Sequence, residues 1–292
     1  MQQKTRQLMA LVANREGEIY ELDGYAAVGM AGRQLAPLST HDTVPLPFGS
    51  EMMYLPDRYP ILYNIRKKNF ESLHEDPYHP GEPLYPVAAF NSPGFIVSSI
   101  SAYWERENAG FLPLFSYGAV GWFRGGFRST IFRIDREKRQ DLRLMPQQGV
   151  AVGIQAKRQQ MPDNRLRRHL ESCAQKYGCP AAKNFFLRRG EAPLPTARHC
   201  NARCRGCLSQ QDDRIIPHSQ NRIDFTPSPQ EIAEVALAHI KSVRRAVVSF
   251  GQGCEGDPLL AVDVIEPAIR LIRQATRQGT INVTPTEVAP QH

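Results

Sequence analysis

No stretch of this chain approaches the roughly 20 consecutive apolar residues that a membrane-spanning helix requires, which excludes a helical membrane protein on hydropathy alone. The apolar segment near the start, Leu8 to Ala13, is too short for a secretory signal and runs straight into Asn14-Arg15-Glu16. Long blocks of one charge are also missing. The net charge of +7 comes from 36 basic and 29 acidic residues, and the short basic runs Arg66-Lys67-Lys68 and Arg165, Arg167, Arg168 read as solvated faces. No RNA-binding signature accompanies them, so nucleic-acid binding is left open rather than expected. Zinc-protease spacing is lacking as well: His74-Glu75-Asp76-Pro77-Tyr78-His79 offers metal-ligand types on a proline turn and reads as a polar surface loop. Six cysteines in 292 residues, three of them bunched, do not form the spread framework of a disulfide scaffold. A reducing compartment, the cytoplasm, is the expected location. Hydrophobic content of 41% and a mean hydropathy of −0.41 describe globular protein with room for two domains.

What the chain does have is the segment His199-Cys200-Asn201-Ala202-Arg203-Cys204-Arg205-Gly206-Cys207, a CxxxCxxC triad. Positions i, i+4 and i+7 also make one helix face. Leu166, Leu170 and Cys173 show that pattern in a charged helical context, where Cys173 reads as a small core hydrophobe, and Cys179 reads as part of a Gly178-Cys179-Pro180 helix ending. Around Cys200 the stripe would be all cysteine, with Gly206 inside it, so a loop wrapped around a metal centre is the better reading. A closed iron–sulfur cluster takes four thiolates. Three leave one iron open to a ligand that is not protein.

About fifty residues on, the short β-branched run Ala246-Val247-Val248-Ser249-Phe250 leads into Gly251-Gln252-Gly253-Cys254-Glu255-Gly256-Asp257-Pro258. Three glycines in six positions allow backbone to approach a ligand closely. Cys254 reads as a small residue in a crowded loop, with a fourth cluster ligand as its alternative.

With both motifs in place, the chain resembles the radical S-adenosylmethionine (radical SAM) enzymes. The resemblance implies that Cys200, Cys204 and Cys207 hold three irons of a [4Fe-4S] cluster while S-adenosylmethionine (SAM) chelates the fourth, and that SAM is reductively cleaved to a 5′-deoxyadenosyl radical that abstracts hydrogen from a substrate. It places SAM contacts at the GGEP-like positions, giving Gly251, Gly253, Glu255, Gly256 and Asp257 as candidates. Gly206 stands where the family commonly has an aromatic residue, and Glu255 and Asp257 stand for the motif's first Gly and its Glu. An electron donor of flavodoxin or ferredoxin type would be the partner, and the substrate is unassigned.

The surrounding pattern predicts an α/β fold class, with a partial radical SAM (β/α) barrel at the C-terminus preceded by a β-rich N-terminal domain. Ser228-Pro229-Gln230-Glu231 is a capping box that starts a helix. A second helix should begin near Pro258, with Asp257 as cap and a possible kink at Pro267, and stop at Gly279 before the strand Thr280 to Thr284. The first barrel strand is either Asn184 to Arg188 or Leu194 to Ala197. Upstream, Ile19 to Leu22 and the hairpin from Ala119 through Arg124-Gly125-Gly126 to Ile134 read as strands. The resulting boundaries are 1–160 (β-rich accessory domain), 161–183 (helical linker), 184–284 (partial barrel) and 285–292 (irregular tail). Only two helices and two further strands fit after Cys200, so the chain is expected to be an incomplete or truncated member. The alternative function is a non-catalytic Fe–S or zinc protein, for electron transfer or interaction, with His199 as a fourth ligand in the zinc case.

Overall fold

Short strands separated by proline-rich turns pair through tight connections, and tight connections force antiparallel neighbours, because parallel pairing needs a crossover of a dozen residues or more. In the computed structural model, which describes residues 7–210 and 216–285, the first of two units, ending at Glu137, contains four such hairpins, and its remaining pairs join strands distant in sequence. Its 13-stranded sheet runs from Tyr103–Glu105 through Arg58–Asn64, Ile19–Ala26, Met9–Ala13, Tyr85–Phe90, Gly118–Phe123 and Ile100–Ser101 to Val28–Ala31 and Gln34–Pro37, with further strands branching from this path. Every pairing in it is antiparallel. The strand Arg58–Asn64 alternates buried and half-buried positions, and the inward Arg58 is held by the carbonyls of Pro56 and Gly110 and by Glu105 at 2.9 Å. A buried guanidinium is tolerated there because both of its terminal nitrogens are occupied, although Nε has no partner among the described residues.

The second unit begins at Lys138. It contains α1 (Gln147–Gln160), α2 (Arg165–Lys176), α3 (Pro180–Phe186), a strand at Glu191–Pro193, α4 (Pro229–Ile240), a strand at Val247–Phe250, a 3-10 turn at Pro258–Ala261, α5 (Val262–Ala275) and a strand at Thr280–Val283. The three strands form one parallel sheet in that order, with Ala192 opposite Val248 and Val248 opposite Ile281. Leu166, Leu170, Phe185, Val235, Val248 and Phe250 share one core with Ala268 and Ile272 of α5.

This architecture corrects the α/β barrel expectation. Antiparallel β-structure dominates the chain, and among the described residues the parallel part is three short strands in an open sheet, too few to close a barrel. Neither candidate for the first parallel strand is one. Asn184 to Phe186 belongs to α3, which starts at Pro180 with Cys179 as its N-cap, and Leu194 to Ala197 follows the strand Glu191–Pro193. The unit boundary also falls at Glu137 rather than at 160, and α1 and α2, with Val150, Ile154 and Leu166, pack in the core of the second unit rather than in an accessory domain or a linker. Of the expected tail 285–292, residues 286–292 lie outside the described residues. No helix among the described residues is long and apolar enough to cross a membrane.

Local signals around α4 are realised in full. Ser228 Oγ accepts from the Glu231 N–H at 3.2 Å, and the Glu231 carboxylate accepts from the Ser228 N–H at 2.7 Å. Arg165, from the run read as solvated, binds the same carboxylate, and Arg167 is buried against Glu171. The Arg165 hydrogen bond, aided by backbone N–H donors and opposed by burial, lowers the Glu231 pKa from 4.5 to about 2. A depressed carboxyl pKa contributes stability that is present above the unfolded value and lost as pH falls through the folded one. Stability should therefore decline between pH 4.5 and about 2. In Glu231→Gln, denaturant midpoints should be lower near neutral pH and fall less steeply across that window. An unchanged acid limb would refute the assignment.

Candidate functional site

Parallel strands leave their sheet at the same edge, so the loops that follow them meet there, which is where open parallel sheets commonly bind ligands. The cysteine loop follows Glu191–Pro193, the glycine loop follows Val247–Phe250, and Thr284 follows the third strand. Leu194 N–H donates to Ser249 O at 2.7 Å, carrying the first pairing one residue beyond the strand. Together these loops line a cavity of about 900 Å³ that includes Cys200, Cys204, Cys207, Gly251, Gly253 and Glu255.

Glu255 fixes this meeting point. Its Oε2 accepts from the N–H groups of Thr196 at 2.7 Å and Ala197 at 3.0 Å, and its Oε1 from those of Gly251 at 2.6 Å and Gln252 at 2.8 Å. One buried carboxylate thus ties the entry of the cysteine loop to the start of the glycine loop. Burial raises its pKa, and the four N–H donors oppose that rise. Gly256 completes the joint: its N–H donates to Ala197 O at 2.7 Å, and a Cβ on it would fall 1.9 Å from His199 O. Asp257 N–H donates to His199 O at 3.0 Å.

The sequence-derived residues therefore separate by role. Cys200, Cys204, Cys207, Gly251, Gly253, Glu255 and Gly256 all face the one cavity. Asp257 does not line it; it is fully buried, and its carboxylate accepts from the Leu259 N–H at 3.0 Å as the cap of the 3-10 turn. Among the thiols, Cys204 is exposed and Cys200 and Cys207 are half-buried. Burial would raise the Cys207 pKa, but backbone N–H groups of Ser209 and Gln210, the Ser209 hydroxyl and Arg222 outweigh it and hold it below that of a free thiol. Arg222, whose Nη2 lies 3.5 Å from Cys207 Sγ, went unnoticed in the sequence, where nothing marks it among the other arginines.

The three thiols of the CxxxCxxC loop do not all lie within 4.8 Å of one another. Among the described residues, the group of three or more His, Cys and acidic ligand atoms within 4.8 Å of one another is that of His169, Cys173 and Cys254, not that of the CxxxCxxC loop. A zinc ion needs all its sulfurs around one centre, whereas a cluster binds each thiolate at a different iron. Cys254 lies with Cys173 and His169 and is not part of the cavity wall, which separates it from the role of fourth cluster ligand. The neighbouring Cys254 and His169, against burial, hold the Cys173 thiol below the usual thiol range, while the same proximity and burial push Cys254 up. Two of the three members of this second group could have been found in the sequence, since His169 and Cys173 stand four residues apart on an evident helix.

Compared with models of known protein families, with curated proteins and with solved structures, the chain matches none.

Proposed function

We propose that the second unit is an iron–sulfur, SAM-dependent radical enzyme whose cluster is held by Cys200, Cys204 and Cys207. The observation that carries this reading is that the three-cysteine loop and the glycine loop, separated in sequence, form the wall of one cavity. At about 900 Å³ it lies in the range of small-molecule sites. When bound, the cluster and SAM would supply one-electron reductive cleavage of SAM to methionine and a 5′-deoxyadenosyl radical, the electron coming from a flavodoxin- or ferredoxin-like donor. The chain's own contribution is positional. Three thiolates fix the cluster and leave one iron without a protein ligand. Glu255 holds the two loops in register through four backbone N–H groups. Gly253 leaves one side of the cavity without a side chain, with Gln220 Nε2 at 3.2 Å and Leu208 Cδ1 at 3.4 Å from a Cβ placed there. Arg222 offsets thiolate charge beside Cys207. A reducing cytoplasm suits such a centre.

The decisive experiment adds SAM to the anaerobically reconstituted, reduced full chain. The expected result is a changed electron paramagnetic resonance signal and release of 5′-deoxyadenosine, with iron and sulfide content lost in Cys200→Ala, Cys204→Ala and Cys207→Ala. A reducible cluster that ignores SAM would make the protein an electron carrier and defeat the proposal, as would full cluster content in Cys204→Ala.

A further inference from the structure

A second group of ligating side chains lies away from the cysteine loop. His169 and Cys173 project from the same face of α2, one turn apart, and Cys254 reaches them from the glycine loop. Their Nε2 and two Sγ atoms all lie within 4.8 Å of one another, and Cys173 Sγ is 3.5 Å from His169 Nε2. Zinc bonds of about 2.3 Å to sulfur and about 2.0–2.1 Å to nitrogen, set at a tetrahedral angle, place those ligand atoms about 3.5 Å apart. Two thiol sulfurs on the same ion stand roughly 3.8 Å apart. The His169–Cys173 separation thus matches two corners of a tetrahedron, and Cys254 stands within 4.8 Å of both, at most about 1.3 Å beyond the bound spacing.

We propose that His169, Cys173 and Cys254 bind a zinc-class divalent cation, with a fourth coordination position that opens to solvent. This site does not depend on the reading of the cysteine triad. Two thiolates would neutralise the ion, and its binding would displace the thiol protons. His169 and Cys173 line a polar cavity of about 390 Å³ that also carries His218, Asp224, Lys176 and Arg222, whereas Cys254 is buried behind it. The fourth corner therefore faces that cavity, and a water or an anionic ligand can take it beside Lys176 and Arg222. Three protein ligands with an open position are the arrangement that zinc uses where it does chemistry, in contrast to the closed four-ligand structural sites. Cys179 stays outside the group; its backbone N–H donates to Cys173 O at 3.0 Å, which shapes the turn without adding a sulfur. The ion would also join α2 to the loop that carries Glu255, because Cys254 directly precedes it.

The probe is cobalt(II), titrated anaerobically into the full chain carrying Cys200→Ser, Cys204→Ser and Cys207→Ser, so that the triad cannot compete. The expected result is saturation at one cobalt per chain, with thiolate-to-cobalt charge-transfer absorption and the intense visible bands of a tetrahedral site, both removed by one equivalent of zinc. Adding Cys173→Ser or Cys254→Ser should abolish the charge-transfer bands. His169→Gln, at a half-buried position with little risk to folding, should shift the visible bands and weaken binding. Far-UV circular dichroism identifies which variants are folded. A folded triple variant that takes up no cobalt overturns the proposal. So do bands that survive Cys254→Ser, or a Cys173–Cys254 disulfide in zinc-free protein prepared under reductant. Iron content and SAM cleavage, measured separately on the wild-type chain, fail or succeed independently of these bands.

Discussion

Glu255→Gln is expected to behave as a large perturbation despite being nearly isosteric, lowering the thermal midpoint of the second unit by on the order of 10 °C and emptying the cysteine loop of iron. Each carboxylate oxygen of Glu255 accepts two backbone N–H groups. An amide keeps one oxygen that can do this. Its NH₂ end would point two donors at two donors, leaving either Thr196 and Ala197 or Gly251 and Gln252 unsatisfied. An unsatisfied buried donor costs about 1–3 kcal/mol, so the pair amounts to roughly 3–4 kcal/mol, a substantial share of the ~5–15 kcal/mol that separates folded from unfolded chains. At about 2–4 °C per kcal/mol in units of this size, the midpoint shift follows. Glu255→Ala should be at least as damaging, since all four donors lose their acceptor. The functional consequence has the same origin, because Thr196 and Ala197 lead directly into His199 and Cys200. Differential scanning calorimetry and iron analysis after reconstitution are the measurements. Wild-type stability in Glu255→Gln would mean that the carboxyl is not the joint between the two loops.

Features written in neighbouring residues were legible in the sequence, and those that depend on distant pairing were not. Ser228 and Glu231 signal a helix start within four residues, and the β-branched run Val247–Phe250 signals a strand, because the physics of each is local. The antiparallel sheet is different in kind: Met9–Ala13 lies beside Tyr85–Phe90 and Gly118–Phe123, and no local pattern states that adjacency. The order of motifs in the last third suggested a barrel, but that order supplies two crossover helices and three strands, and most strands of the chain lie in the antiparallel sheet elsewhere. Asn184 to Arg188 is one of the two strand candidates in the sequence because its aromatics suit a strand. Pro180 at the first helical position, after Gly178 in a left-handed turn at φ 65°, starts a helix instead. At the candidate site the cysteines and glycines were legible by spacing. Asp257 was legible as a helix cap, the use its carboxylate has, whereas Glu255 was legible only as a polar residue in the right loop. The Glu255 carboxylate turns inward to four backbone N–H groups, a use that appears only once the loops are packed.

That distinction sets apart two glycines that look equivalent in sequence, and substituting valine at each should give different outcomes. At Gly256 a Cβ would meet His199 O at 1.9 Å, His199 C at 2.4 Å and Cys200 N at 3.0 Å, all of them backbone atoms that cannot swing aside. The new side chain would push the cysteine loop away and break the hydrogen bonds from the Gly256 N–H to Ala197 O and from the Asp257 N–H to His199 O. Gly256→Val should therefore lose iron as well as any SAM affinity, with a stability loss of several kcal/mol typical of forcing atoms into a filled space, about 1–3 kcal/mol for overpacking plus the lost backbone pairing. At Gly253 the nearest atoms are the ends of Gln220 and Leu208, at 3.2 and 3.4 Å, and both side chains can rotate. Gly253→Val should retain the fold and the iron, because its methyl groups enter the cavity rather than the joint, and should weaken SAM binding by excluding ligand from that wall. Iron per chain and equilibrium SAM binding, measured on both variants, separate the two effects. Equal iron loss in both would show that the Gly253 wall is structural, and full iron in Gly256→Val would show that the cysteine loop does not rest on this glycine.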